Sequence, residues 1–371
     1  MVMLGGIIGS SLSTNKAFAT LPLSMMVVAV AATTIPATML MRKIGRRKGF
    51  ALASMSSVVG LCIAVYALNV SSFPIFIFAV MIFGINMAFT QQYRYFAAES
   101  VETKYVPRAI SLVLVGSIGA AFVGKELATR GQFWVEGIQF AGTMLVLAGM
   151  FALQALLFFA MSPAREHDDG SVQQSERPLG EIVCQPVFMV AVLGATAGFG
   201  LMTLVMTATP LSMHVNDGFT LEQTATVIQA HVLGMYVPSL VAGFLIERIG
   251  VTRMMFIGAL GLIAACIAGL QGQTVLHYWW ALVLLGVGWN FLYVGGTTML
   301  TYTYSMAERF RAQAVNEFLV FGTSATASLL AGTVMFFYGW GTLMLIPLPI
   351  LIIICVALIA VRRNPLLPGK A

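Results

Sequence analysis

At 371 residues, with 59% hydrophobic and only 9% charged side chains, the chain lacks the polar coat that a water-soluble protein of this length needs. Its net charge of +6 is therefore no pointer to nucleic acid, and apolar runs of about 20 residues match the roughly 30 Å core of a bilayer. Cys62, Cys184, Cys266 and Cys355 lie in or beside apolar runs without metal-ligand spacing, so they read as small packing residues.

In chain order, residues 1–9 are apolar but too short to cross a membrane at ~1.5 Å per residue. Eleven complete spans follow, near 18–41, 49–70, 74–98, 108–125, 137–161, 185–210, 221–246, 254–272, 277–301, 311–336 and 342–361. Residues 163–183 form the single long polar stretch and read as a mobile linker. The predicted organisation is a first bundle over 1–162, the linker 163–183, a second bundle over 184–361 and a tail over 362–371.

The two bundles repeat one another at a separation of about 204 residues. Thr38, Arg42, Lys43, Gly45, Arg46 and Arg47 mark the end of the span 18–41 and the turn after it, and Gly243, Glu247, Arg248 and Gly250 mark the end of the span 221–246 in the same register. Cys62-Ile63-Ala64 recurs as Cys266-Ile267-Ala268, Gly84-x-Asn86 as Gly288-x-Asn290, and Arg108-Ala109 as Arg311-Ala312. Tandem duplication in an almost continuously apolar chain is a mark of transporters built from two membrane halves. Carried back through the repeat, the span 185–210 begins before residue 1, so residues 1–9 mark the end of a first helix. Two readings stand: a start set about 20 residues too late, or a natural shortening. The first is favoured, because losing a cavity-lining helix should cripple a transporter.

Sixteen of the twenty basic residues fall in alternate connections, together with the linker and the C-terminus. By the positive-inside rule that side is cytoplasmic, which predicts a bacterial-type inner-membrane protein. No Walker loop, metal cluster or nucleophile–base pair is evident, so neither enzyme activity nor a cofactor is expected, and energy must come from a solute or ion gradient.

These residues resemble the major facilitator superfamily, whose signature between the second and third helices is Gly-x-x-x-Asp-(Arg/Lys)-x-Gly-Arg-(Arg/Lys). The chain matches it at Lys43, Gly45, Arg46 and Arg47, and departs with Thr38 and Arg42 for the glycine and the aspartate. The second copy keeps Gly243, Glu247, Arg248 and Gly250. The resemblance implies an all-α membrane fold of two pseudo-symmetric six-helix bundles, here with eleven complete helices and a remnant of the first. It also implies a monomer and a cytoplasmic gate at Lys43, Gly45, Arg46, Arg47, Glu247 and Arg248, with Glu247 the heir to the family's acidic residue. The competing reading is that these charges only orient insertion and bind anionic lipid. The glycine-rich fifth-helix pattern of the family's antiporters is incomplete, since Lys125 follows Gly124 where proline is expected.

Polar groups inside the spans supply the candidate binding residues. Asn86, Thr90 and Arg94 are four apart on one helical face, with Gln91 beside them, and offer an amide, a hydroxyl and a permanent cation to a polar or anionic solute. Alternatively Arg94 snorkels to headgroups or pairs with Glu99. His231 lies near mid-membrane and is suited to proton coupling, or to a neutral hydrogen bond between helices. Trp289, Asn290 and Tyr293 suit a planar or heterocyclic solute through stacking and amide hydrogen bonds, although a Gly-x-Asn helix contact is an equal reading of Asn290. The resemblance places the fourth, eighth and tenth helices along a central cavity. The expectation is a secondary transporter of a small polar or anionic organic solute, working by alternating access with possible proton coupling. The alternatives are a proton-driven multidrug exporter, favoured by 23 methionines and an aromatic interior, and a non-transporting assembly or sensing factor.

Overall fold

The computed structural model describes residues 2–93, 96, 106–161, 177–305 and 308–367. In chain order the helices are α1 Val2–Leu12, α2 Leu21–Ile44, α3 Arg46–Asn69, α4 Phe73–Thr90, α5 Val106–Arg130 and α6 Ala141–Ala160. After them come α7 Pro186–Pro210, α8 Leu221–Tyr236, α9 Ser239–Ile249, α10 Val251–Leu270, α11 Val275–Thr301, α12 Arg309–Leu345 and α13 Pro347–Val361. The described residues contain no strand, as expected where lipid offers backbone groups no partner and each segment must close its own hydrogen bonds. Nine of the described helical stretches are long and apolar enough to cross a membrane. Their outward faces are apolar: Leu156 and Phe244 are each 65% exposed, an arrangement that suits lipid and not water.

Each of the eleven predicted spans falls on a helix, with three local differences. The helix predicted over 74–98 closes at Thr90 and turns at Gln91 and Gln92. The span 221–246 is two helices, because Pro238 has no N–H to continue the ladder and breaks α8 from α9. The spans 311–336 and 342–361 are joined without a loop, the chain turning at Gly339 (φ 75°) inside α12, and α13 begins at Pro347, which has no N–H to continue the ladder. Helix α1 has 11 residues, a rise of about 16 Å.

The chain divides into two compact units, Met1–Asp168 with Pro210–Thr226, and Asp169–Thr209 with Val227–Ala371. In the first, α3 packs on α4 and α6, and α2 on α4. In the second, α10 and α11 are the most intimate pair, and α10 also meets α13. Glycine makes that pair possible. A Cβ built on Gly288 would stand 2.8 Å from the Gly258 carbonyl oxygen, and one on Gly258 would stand 2.9 Å from the Gly288 carbonyl oxygen. The two backbones touch where any side chain would hold them apart.

Both copies of the repeated motif form the same corner. Gly45 (φ 83°, ψ 150°) is the one residue between α2 and α3, and Gly250 (φ 86°, ψ 151°) the one residue between α9 and α10. Each ends the preceding helix by donating its N–H four residues back, to Met41 and Ile246, and each offers its own carbonyl to the next helix, at Gly49 and Met254. A positive φ with an extended ψ is open to glycine and closed to residues with a Cβ. The sequence repeat is thus a repeat of backbone geometry.

Candidate functional site

The predicted gate residues gather at these corners. Lys43 and Arg248 are exposed, Arg46 is partly buried, and the side chains of Thr38, Arg42 and Glu247 lie outside the described residues. Arg47 donates to the Met161 carbonyl, the residue that ends α6, so a cation sits where that helix gathers its unpaired carbonyls.

In α4, Asn86 is 1% exposed and its Oδ1 has no partner among the described residues. Thr90 bonds back to the Met87 carbonyl at 2.8 Å, and Gln91 is partly buried. Arg94, the cation proposed to share their face, lies outside the described residues. Next to them Gln154 donates to the Tyr93 hydroxyl, and the Tyr93 ring lies edge-on to Phe50 at 4.7 Å.

The second unit brings together most of the remaining candidates. His231 on α8 is fully buried, and its Nδ1 lies 2.8 Å from the Leu282 carbonyl on α11. A carbonyl can only accept, so Nδ1 carries the proton and Nε2 is left a bare acceptor, buried without a partner among the described residues. Two turns beyond Leu282 on α11, Asn290 donates through Nδ2 to the Met235 carbonyl at 2.8 Å and to the Ser239 hydroxyl. Those two groups flank the Pro238 break, so the amide takes up a carbonyl beside the interrupted ladder. A Cβ on Gly286 would be 2.6 Å from the His231 carbonyl oxygen. These contacts sew α8 to α11 along their lengths, and Asn290 Oδ1 and His231 Nε2 remain unmet among the described residues.

Trp289 and Tyr293, one turn apart on α11, stack at 5.2 Å with their planes 11° apart. Phe199 of α7 stands edge-on to both, at 5.5 and 5.3 Å, and to Phe321 of α12 at 5.6 Å. Tyr236 meets Trp289 at 6.3 Å. The result is an aromatic cluster drawn from four helices, within which the Trp289 indole N–H has no partner among the described residues. Thr196 Oγ1 on α7 and Asn316 Oδ1 on α12 are likewise unmet. Leaving a buried polar atom unpaired costs about 1–3 kcal/mol, so several in one unit mark a place suited to a polar ligand. Sequence reasoning missed Phe199, Tyr236 and Phe321, because nothing distinguishes a clustered ring from a lipid-facing one among 25 phenylalanines. It also missed a clamp at the end of the linker. Arg177 holds Glu308 through Nε (2.8 Å), Nη2 (2.7 Å) and its backbone N–H (3.0 Å), and the Ser305 N–H adds a further bond at 2.8 Å. The Arg177 guanidinium, with that backbone donor, holds the Glu308 carboxyl well below the usual carboxylate range.

Long apolar helices, a structural repeat and an interior polar cluster define a polytopic membrane transporter. The family model for the Major Facilitator Superfamily matches residues 1–237 and 203–371. The chain belongs to that superfamily. It is 37% identical over 367 residues to a riboflavin transporter of Brucella anthropi, covering 98% of this chain and 92% of that one. It is 26% identical over 356 residues to an uncharacterised transporter of the same type from Bacillus subtilis, covering 90% and 81%. In structure it is similar to the nucleoside transporter NupG, with a TM-score of 0.75 for one variant over 97% of this chain and 94% of that one, at 14% identity. At that identity the likeness establishes the fold alone. The fold and these relatives are those of transporters and not of enzymes.

Proposed function

We propose that this protein is a secondary transporter carrying a flat, uncharged, hydrogen-bonding heteroaromatic solute of the riboflavin kind. It works by alternating access as a monomer in a bacterial-type inner membrane, with the linker and C-terminus cytoplasmic. The observation that carries the proposal is the buried Trp289–Tyr293 stack with Phe199 edge-on to it, an aromatic cluster whose chemistry suits a planar ring. The riboflavin transporter similar over nearly the whole chain supports the same solute class. The crowding of sixteen of the twenty basic residues into alternate connections supports the orientation, and reporter fusions at residues 42–48 and 247–253 on opposite faces would refute it.

The test is uptake of labelled riboflavin in a riboflavin auxotroph lacking its own importer. Saturable uptake and growth on micromolar riboflavin are expected. No uptake from a strain with confirmed membrane abundance would overturn the proposal. Proton coupling belongs to it through His231, whose bare Nε2 is the buried acceptor such a role requires. His231→Gln should then leave uptake insensitive to an imposed pH gradient, and undiminished sensitivity would remove that role.

A further inference from the structure

Three unmet groups lie on the helices that carry the aromatic cluster, Trp289 within it and Thr196 and Asn316 on α7 and α12, and their chemistry goes beyond stacking. The Thr203 and Ser324 hydroxyls bond at 2.8 Å, and a Cβ on Gly200 would meet Thr323 Cγ2 at 2.9 Å, so α7 and α12 are in firm register there. Seven residues back from Thr203 and from Thr323, two turns along each stripe, stand Thr196 and Asn316. At that level no bond closes: Thr196 Oγ1 and Asn316 Oδ1 are both buried and unmet among the described residues, and Asn316 is 2% exposed. Phe199, one turn from Thr196, links this level to Trp289, which is 5% exposed with its N–H unmet.

The three groups are unlike one another. An indole N–H only donates, a carboxamide oxygen only accepts, and a threonine hydroxyl does either. An imide edge, C=O then N–H then C=O, matches them in kind: one carbonyl for the indole N–H, the ring N–H for Asn316 Oδ1, and the second carbonyl for the Thr196 hydroxyl. Sugars and purely apolar drugs do not carry that alternation on a ring that also stacks.

We propose that Trp289, Thr196 and Asn316 form a hydrogen-bonding rim that selects heterocycles bearing a free imide edge, and that the aromatic cluster holds their face. This rests on the transport reading above for its solute class, but it makes a separate claim about which edge is read.

The experiment compares riboflavin with riboflavin methylated at the imide nitrogen as competitors of labelled riboflavin uptake, in wild type, Trp289→Phe and Thr196→Val. Trp289→Phe keeps a ring and loses the N–H; Thr196→Val keeps the shape and loses the hydroxyl. Each lost hydrogen bond should raise KM about 3- to 10-fold with Vmax and membrane abundance unchanged. The methylated compound should compete at least about tenfold more weakly against wild type. Equal competition by the two compounds, or wild-type KM in both variants, would overturn the rim. Should the wild type carry no flavin, the transport reading falls by itself. The rim is then scored by thermal shift of purified protein with uracil and 3-methyluracil: stabilisation by uracil alone sustains it, and equal or absent stabilisation by both overturns it.

Discussion

Replacing Gly288 by alanine tests the closest backbone approach in the second unit. The added Cβ would sit 2.8 Å from both the Gly258 carbonyl oxygen and the Leu262 nitrogen, and 2.9 Å from Leu262 Cγ. Two of these neighbours are backbone, which cannot rotate away, so α10 and α11 must part by roughly half an ångström to regain ordinary contact. Overpacking of this kind costs about 1–3 kcal/mol, which corresponds to a fall in Tm of roughly 2–10 °C. Thermal unfolding in detergent, followed by fluorescence-detected size exclusion, reads this directly. Gly243→Ala is the control: its Cβ meets nothing within 4 Å, so its Tm should hold or rise, alanine being the better helix former by about 1 kcal/mol. Gly258→Ala should resemble Gly288→Ala, and the double variant should lose less than the sum, because both changes wedge one gap. A Gly288→Ala Tm within about 1 °C of wild type, or an equal fall in Gly243→Ala, would refute the reasoning.

Gly45→Ala and Gly250→Ala each force a side chain into a backbone region reserved for glycine and should each destabilise by about 1–3 kcal/mol, read as lost Tm and lower membrane yield. Asn290→Ala leaves the Met235 carbonyl without its amide and should cost about 1–3 kcal/mol, whereas Ser239→Ala should cost less; the reverse order of Tm loss would remove Asn290 from the α8 break. The Glu308 carboxyl, held below its ordinary value near 4.5, favours the folded state above that pH and loses this contribution as pH falls through the folded value. Tm should therefore drop more steeply below about pH 4.5 in wild type than in Glu308→Gln, in which the slope from this group disappears.

The positions of the helices were legible because lipid imposes a length and an apolar composition that any span must show. Val275–Thr301 against a predicted 277–301, and Ala141–Ala160 against 137–161, are as close as such readings come. Charge does not mark a helix start: α3 begins at Arg46 and not near residue 49, since backbone hydrogen bonding continues through Arg46, Arg47 and Lys48 regardless of whether side chains reach water. The stacking pair Trp289 and Tyr293 was visible as aromatic residues one turn apart. Its partners Phe199 and Phe321 were not, because they arrive from other helices 90 and 32 residues away from Trp289, and only folding brings their rings within 5.6 Å of one another. The same holds for His231 and Leu282, and for Arg177 and Glu308, which lie 51 and 131 residues apart. A hydrogen-bond partner that is a backbone carbonyl leaves no mark in the sequence at all.

The corners at Gly45 and Gly250 contain one residue each and so have no slack. Inserting a single amino acid in either would rotate the whole of α3 or α10 by about 100°. Side chains now bathed in hydrocarbon would swing against neighbouring helices, and the glycine face of α10 would turn away from α11. Growth of this chain by insertion is therefore barred at both elbows and left to broader connections such as residues 134–140, where an added residue would lengthen a turn without re-aiming a helix.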